Sequence, residues 1–214
     1  VIDNFKDNVE LNDLEFLHSM NETPLSIIQK ENDRFSNTVA INGCTFDDWN
    51  GQDNKCFYLL IETFTISFKN CVIQNMKEGS TEGYIGVFNT KELTQLVLEN
   101  ISFINNRCDS LYGGWIGIKF IELGSLLFRE CKFINNYASA SRPSLGNKEY
   151  FNGDGGALQL GSICGMNDMQ VHFMDCTFKG KRANKHGGAI SIQTYDMVYI
   201  EYCIFEDNVA NYDS

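Results

Sequence analysis

One eight-residue pattern recurs six times along this chain: two apolar residues separated by one other, two corner residues, then Cys-x-Phe or its nearest apolar equivalent. The copies run from Val39 to Phe46, Ile66 to Ile73, Leu96 to Phe103, Leu126 to Phe133, Val171 to Phe178 and Val198 to Phe205. Their last residues (46, 73, 103, 133, 178, 205) are spaced by 27, 30, 30, 45 and 27 positions. Such a unit is too short to bury its own apolar face and must stack on its neighbours.

A second strand pattern follows four of the polar corners. Ile85 and Val87, Ile116 and Ile118, Leu158 and Leu160, and Ile190 and Ile192 each alternate after one or two glycines. Period-two alternation buries one face of a strand, and no helical pattern intervenes. The expected fold is therefore all-β, a parallel β-helix of roughly seven coils about 4.8 Å apart, making a rod about 30 to 35 Å long. Val39, Ile66, Leu96, Leu126, Val171 and Val198 should form one inward ladder, and Ile41, Phe68, Leu98, Phe128, Phe173 and Ile200 the next. A one-residue slip would turn every ladder outward.

Pro occurs only twice, whereas Asn and Gly recur at the corners, where tight or left-handed backbone is needed. Asn106, Asn136 and Asn208 each stand three residues after the motif Phe. Stacked in successive coils, their amides should satisfy corner backbone groups that water cannot reach. The net charge of -11 argues against a nucleic-acid groove. No apolar run approaches a membrane span, and residues 1–20 are too acidic for a secretory signal. Residues 1–38 fit the repeat poorly and are expected to form an irregular first coil or an N-terminal cap, with regular repeats over 39–214. The stretch Asp3 to Asn8 looks like the tail of a Cys-x-Phe-x-x-Asn unit, so the repeats are expected to continue beyond both ends.

The motifs Phe103-Ile-Asn-Asn106, Phe133-Ile-Asn-Asn136, Phe205-Glu-Asp-Asn208, Gly155-Gly-Ala-Leu158 and Gly187-Gly-Ala-Ile190 carry a resemblance. Over roughly residues 39–210 the chain resembles the repeats of the chlamydial polymorphic outer-membrane proteins and similar right-handed β-helix repeats of protist surface proteins. The resemblance implies a right-handed solenoid, an extracellular or cell-surface adhesive or wall-forming role, and no catalytic residues. Trp49, Met76 and Lys181 depart from it where the pattern has Asn, and Tyr84 and Trp115 where it has Ala.

Five of the eight cysteines, Cys44, Cys71, Cys131, Cys176 and Cys203, occupy one repeat position. Stacked parallel Cβ vectors suit a disulfide badly, so free thiols acting as small apolar side chains are expected there. Cys56, Cys108 and Cys164 lie outside that column and are candidates for bridges whose pairing the count leaves open. Asn21 and Asn100 begin N-glycosylation triplets, making the chain a candidate glycoprotein.

An enzyme built on such a rod would gather carboxylates on one outward sheet face. One outward column instead reads Ala40, Ser67, Val97, Leu127, His172 and Tyr199. Another reads Asn42, Lys69, Glu99, Arg129, Met174 and Glu201, whose alternating charges suit cross-strand pairing. His18, His172 and His186 lack partners at ligand spacing, and the turn at Asn152 to Asp154 lacks the ligand set of a calcium loop. No cofactor is expected.

Two surface features remain. Val97 with Leu127, and Ile104 with Ile134, point outward side by side and suggest lateral contact with another chain or an overlying loop. Arg142, Lys148, Tyr150, Phe151, Lys181, Arg182 and Lys185 fall in long corners at one edge, a basic and aromatic ledge suited to an acidic glycan or an acidic neighbouring chain. The expected function is a non-catalytic structural or adhesive segment of an extracellular solenoid or filament, partnered by copies or further coils of itself and by glycans. The alternative is a carbohydrate-binding or polysaccharide-cleaving β-helix.

Overall fold

The computed structural model describes residues 2–3, 8–17, 25–28, 38–51, 57–60, 65–78, 86–90, 93–108, 116–120, 123–138, 158–161, 170–183, 187–193 and 197–211. Every regular element among them is a β-strand, and every strand pairing is parallel. The strands stack as a β-solenoid with four sheets, three of seven strands and one of six. Sheet one holds the strands after the glycines, such as Ile116–Phe120, Leu158–Gly161 and Ile190–Gln193. Sheet two holds the first half of the repeat motif, including Leu93–Glu99 and Leu123–Arg129, and sheet three the Cys-x-Phe half, including Ser102–Ile104 and Lys132–Ile134. Sheet four is built from two-residue strands, Asn50–Gly51, Lys77–Glu78, Arg107–Cys108, Tyr137–Ala138, Arg182–Ala183 and Val209–Ala210.

The inward ladders lie where alternation places them. Val39 pairs with Ile66, Ile66 with Leu96, Leu96 with Leu126, Leu126 with Val171 and Val171 with Val198. From Val39 to Phe178 the ladder residues are buried; towards the last coil Val198, Ile200 and Phe205 are exposed. The motif phenylalanines stack ring over ring, with centroids 4.7 Å apart for Phe16 and Phe46, for Phe103 and Phe133, and for Phe133 and Phe178, and 4.8 Å for Phe178 and Phe205. These distances equal the strand spacing, so offset aromatic attraction adds to apolar burial worth about 1.5 to 3 kcal/mol per side chain.

Two columns of left-handed corners turn each coil. One precedes the Cys position (Asp13, Gly43, Asn70, Asn100, Glu130, Asp175, Tyr202) and the other follows the motif Phe by two (Asp48, Asn75, Asn105, Asn135, Gly180, Asp207). Most are Asn, Asp or Gly, which tolerate positive φ best; Glu130 (φ 54°) and Tyr202 (φ 53°) hold it at a cost. Gly188 meets a different demand, because a Cβ there would lie 2.7 to 2.9 Å from three backbone atoms of Val209 in the next coil. Its glycine motif is thus a close-approach device between coils.

Three sequence expectations change. Gly86 pairs with Ile116 and Phe88 with Ile118, so Val87 is one position out of the expected register, and Ile85 lies outside the described residues. The pairing keeps the interval of 30 residues between coils rather than the alignment of the glycines. Ile2 and Asp3 pair with Ile27 and Ile28 in sheet one, so Asp3 does not take the Cys position of the motif; residues 4–7 of that expected unit lie outside the described residues. The first motif copy is instead Val9 to Phe16, with Leu14 in place of Cys; Val9 pairs with Val39, Leu11 with Ile41 and Phe16 with Phe46. The described strands of residues 1–38 thereby join the same stacks as the later coils.

Candidate functional site

The corner after the motif Phe holds a polar ladder inside the apolar rod. Asn106 Oδ1 accepts the Met76 backbone N–H at 3.1 Å, and its Nδ2 donates to the Ile73 carbonyl at 3.0 Å. Asn136 repeats this one coil on, accepting from the Asn106 N–H at 2.9 Å and donating to the Phe103 carbonyl at 3.0 Å. Asn208 does the same with the Lys181 N–H and the Phe178 carbonyl. Both halves of each amide are used between coils, which satisfies buried backbone groups that would otherwise cost about 1 to 3 kcal/mol each.

Lys181 interrupts that ladder. It was expected on the exposed ledge, yet it is fully buried, because position 181 is the inward ladder position that Asn106 and Asn136 fill in earlier coils. Its Nζ has no hydrogen-bond partner and lies 5.9 Å from the centroid of the Phe133 ring. Burial lowers the amine from its ordinary 10.5 to about 6. A lysine also has no side-chain carbonyl for the Asn136 N–H, the group the ladder would present to it.

On the outside, polar side chains pair along the axis. Glu99 receives Lys69 at 2.9 Å and Arg129 at 3.5 Å, and Lys179 reaches Glu206 at 2.9 Å. The Lys69 hydrogen bond, ahead of other effects, lowers the Glu99 carboxyl below its ordinary range. Asn70 donates to Asn42, Asn100 donates to Asn70, and Gln74 and Asn75 both donate to Asp47. His172 stacks on Tyr199 with centroids 4.4 Å apart.

The thiol column is free, as expected for Cys44, Cys71, Cys131, Cys176 and Cys203. Each thiol also donates to backbone, a role that reading them as apolar missed. Cys71 Sγ lies 3.1 Å from the Lys69 carbonyl and 3.6 Å from the Ile41 carbonyl, and Cys131 Sγ 3.2 Å from that of Leu98. Burial pushes the Cys71 thiol up to about 11 and raises that of Cys131 as well. Since the thiolate is the reactive form, native protein treated with iodoacetamide at pH 8 should leave Cys71 and Cys131 unmodified, and unfolding should expose both. Peptide mass mapping checks this; rapid native labelling of either residue would refute it.

A groove of about 830 Å³ runs along the corner between sheets three and four. Arg107, Tyr137, Arg182, Asn105 and Asn135 line it, with Asp207 towards one end. Of the expected ledge, only Arg182 stands here, exposed on a sheet-four strand; Arg142, Lys148, Tyr150, Phe151 and Lys185 lie outside the described residues, as do Asn21, Cys56, Cys164, His18 and His186. Cys108 lies in a two-residue strand. Asn100 is exposed at a left-handed corner. Val97 pairs with Leu127 and Ile104 with Ile134, all four half-buried on outward positions. Arg107 and Tyr137, not singled out from sequence, sit in register with Arg182, a relation visible only once the fourth sheet is known.

Among the described residues no group of three His, Cys, Asp or Glu side chains is placed to hold a metal ion. Among them too, no helix is long and apolar enough to cross a membrane. Comparison with protein-family models, curated proteins and solved structures finds no match. The likeness to the polymorphic outer-membrane repeats therefore rests on the motifs alone.

Proposed function

We propose that this chain is a structural or adhesive segment of an extracellular or cell-surface solenoid, a rigid rod that holds position and turns over no substrate. The observation that carries this reading is the use of polar groups by neighbouring coils: Glu99, Asp47 and the Asn42–Asn70–Asn100 series are committed to axial pairing. Committed carboxylates are poor general acids or nucleophiles, whereas axial pairing stiffens a stack. The repeat motifs shared with surface-protein solenoids support the location.

Lateral packing would use the outward apolar pairs Val97 with Leu127 and Ile104 with Ile134, which are adjacent and half-buried. The double variant Val97→Lys, Leu127→Lys is expected to keep its thermal midpoint within a few degrees and to lose self-association. Light scattering checks this, alongside electron microscopy of the native material. Equal association by wild type and variant, or a wild type that stays monomeric at high concentration, would overturn lateral packing.

A further inference from the structure

Asn100 stands at a left-handed corner (φ 50°) between the strand Leu93–Glu99 of sheet two and the strand Ser102–Ile104 of sheet three, and it is exposed. Its backbone N–H donates to the Arg129 carbonyl at 2.9 Å, so the main chain is tied to the next coil while the side chain meets solvent. Ser102, half-buried on an outward position of sheet three, follows two residues on and completes the acceptor triplet for N-linked glycosylation. The same corner column holds Asn70, but there the third residue is Val72 and the triplet is absent.

The Asn100 amide is already in use, and its geometry decides whether a sugar fits. Asn100 Nδ2 donates to Asn70 Oδ1 at 2.8 Å, and Asn70 Nδ2 donates to Asn42 Oδ1 at 2.9 Å. A side-chain amide nitrogen has two N–H donors. Attaching a sugar at Nδ2 removes one of them and leaves the other for Asn70. The next position of the column is Glu130, which has no amide, so the stacked amides end at Asn100.

The corner also separates the two outward apolar pairs. Val97 lies three residues before Asn100 and Ile104 four after, about 10 and 13 Å of strand, with Leu127 and Ile134 beside them in the next coil. An oligosaccharide rooted on that ridge is bulky and hydrated. A second rod laid over either face would have to strip water from its hydroxyls without replacing their hydrogen bonds.

We propose that Asn100 is an N-glycosylation site whose glycan controls lateral packing: rods that carry it stay apart, and rods that lack it associate through the flanking faces. The control rests on the lateral packing proposed above; occupancy of Asn100 does not.

The chain secreted from eukaryotic cells is compared with its Ser102→Ala variant, which loses the triplet but keeps the Asn100 amide. Secretion by the host supplies the compartment, so an empty site is a failure of the site itself. Peptide mass mapping should find Asn100 occupied in the wild type and bare in the variant. The two should share a thermal midpoint within a few degrees, because the bond to Asn70 survives in both. In light scattering the variant should self-associate about tenfold more tightly than the glycosylated wild type. A bare Asn100 in the wild type, or a midpoint lowered by about 10 °C or more by the glycan, would overturn the site. Equal association of the two proteins would overturn the control, and if both stay monomeric, lateral packing falls with it.

Discussion

Lys181→Met is expected to make this protein more stable, by about 2 to 4 kcal/mol near pH 7, and to flatten its pH dependence. Methionine matches lysine in length, fills the same space against Phe133 and occupies the equivalent ladder position in an earlier coil as Met76. The gain is the removed cost of an unpartnered buried amine. In the folded chain that amine is neutral above pH about 6, whereas in the unfolded chain it keeps its proton up to its ordinary 10.5. The unfolded state therefore holds the extra proton between those values, so stability rises with pH across that window, by at most about 1.4 kcal/mol per pH unit. Below pH 6 both states are protonated and the penalty is complete but constant. Urea denaturation at pH 6, 7.5 and 9 compares the two proteins: the wild-type slope should exceed the variant's, and equal slopes would refute burial of the amine. Lys181→Asn adds a second comparison, since Asn would offer an acceptor to Asn136 N–H but leave part of the lysine's volume unfilled.

Phe133→Ala should be among the most damaging single changes, costing about 3 to 5 kcal/mol. Its ring is fully buried, stacks on Phe103 below and Phe178 above, and meets Phe128 at 6.0 Å in a tilted contact. Removing it opens a cavity that parallel coils cannot close, because their spacing is set by backbone hydrogen bonds such as Lys132 N–H to the Ile101 carbonyl. Ile134→Ala is the internal control. Ile134 is the next residue in the same strand but is half-buried on an outward position, so its loss should cost about 1 kcal/mol or less. Guanidinium denaturation monitored by circular dichroism measures both, and similar costs would show that inward burial does not govern stability.

Repeat positions were legible in the sequence wherever strand period and coil interval stayed regular. Period-two alternation at Val39 and Ile41 and its recurrence at Ile66 and Phe68 were enough for the parallel stack. The Lys69–Glu99–Arg129 series was legible because those residues stand at regular intervals of 30. Where the interval stretches to 45, between Phe133 and Phe178, the relation of Tyr137 to Arg182 is hidden by the inserted residues. Two-residue strands such as Arg107–Cys108 are too short to show alternation at all, so the fourth sheet and the groove beside it left no periodic signal. Lys181 was misplaced for another reason. Residue type favours exposure for lysine, but register places the side chain inside.

The amino-acid sequence by itself determined the strand period, the stacking of equivalent apolar residues and the corner chemistry, because these are local consequences of side-chain shape and backbone conformation repeated along the chain. Only the tertiary structure decided which polar groups meet across coils: the Asn ladder's backbone partners, the stranded amine of Lys181 and the register of Arg107 and Tyr137 with Arg182 along sheet four. Those depend on distances between residues 27 to 48 positions apart, and only the closed coil brings them within hydrogen-bonding range.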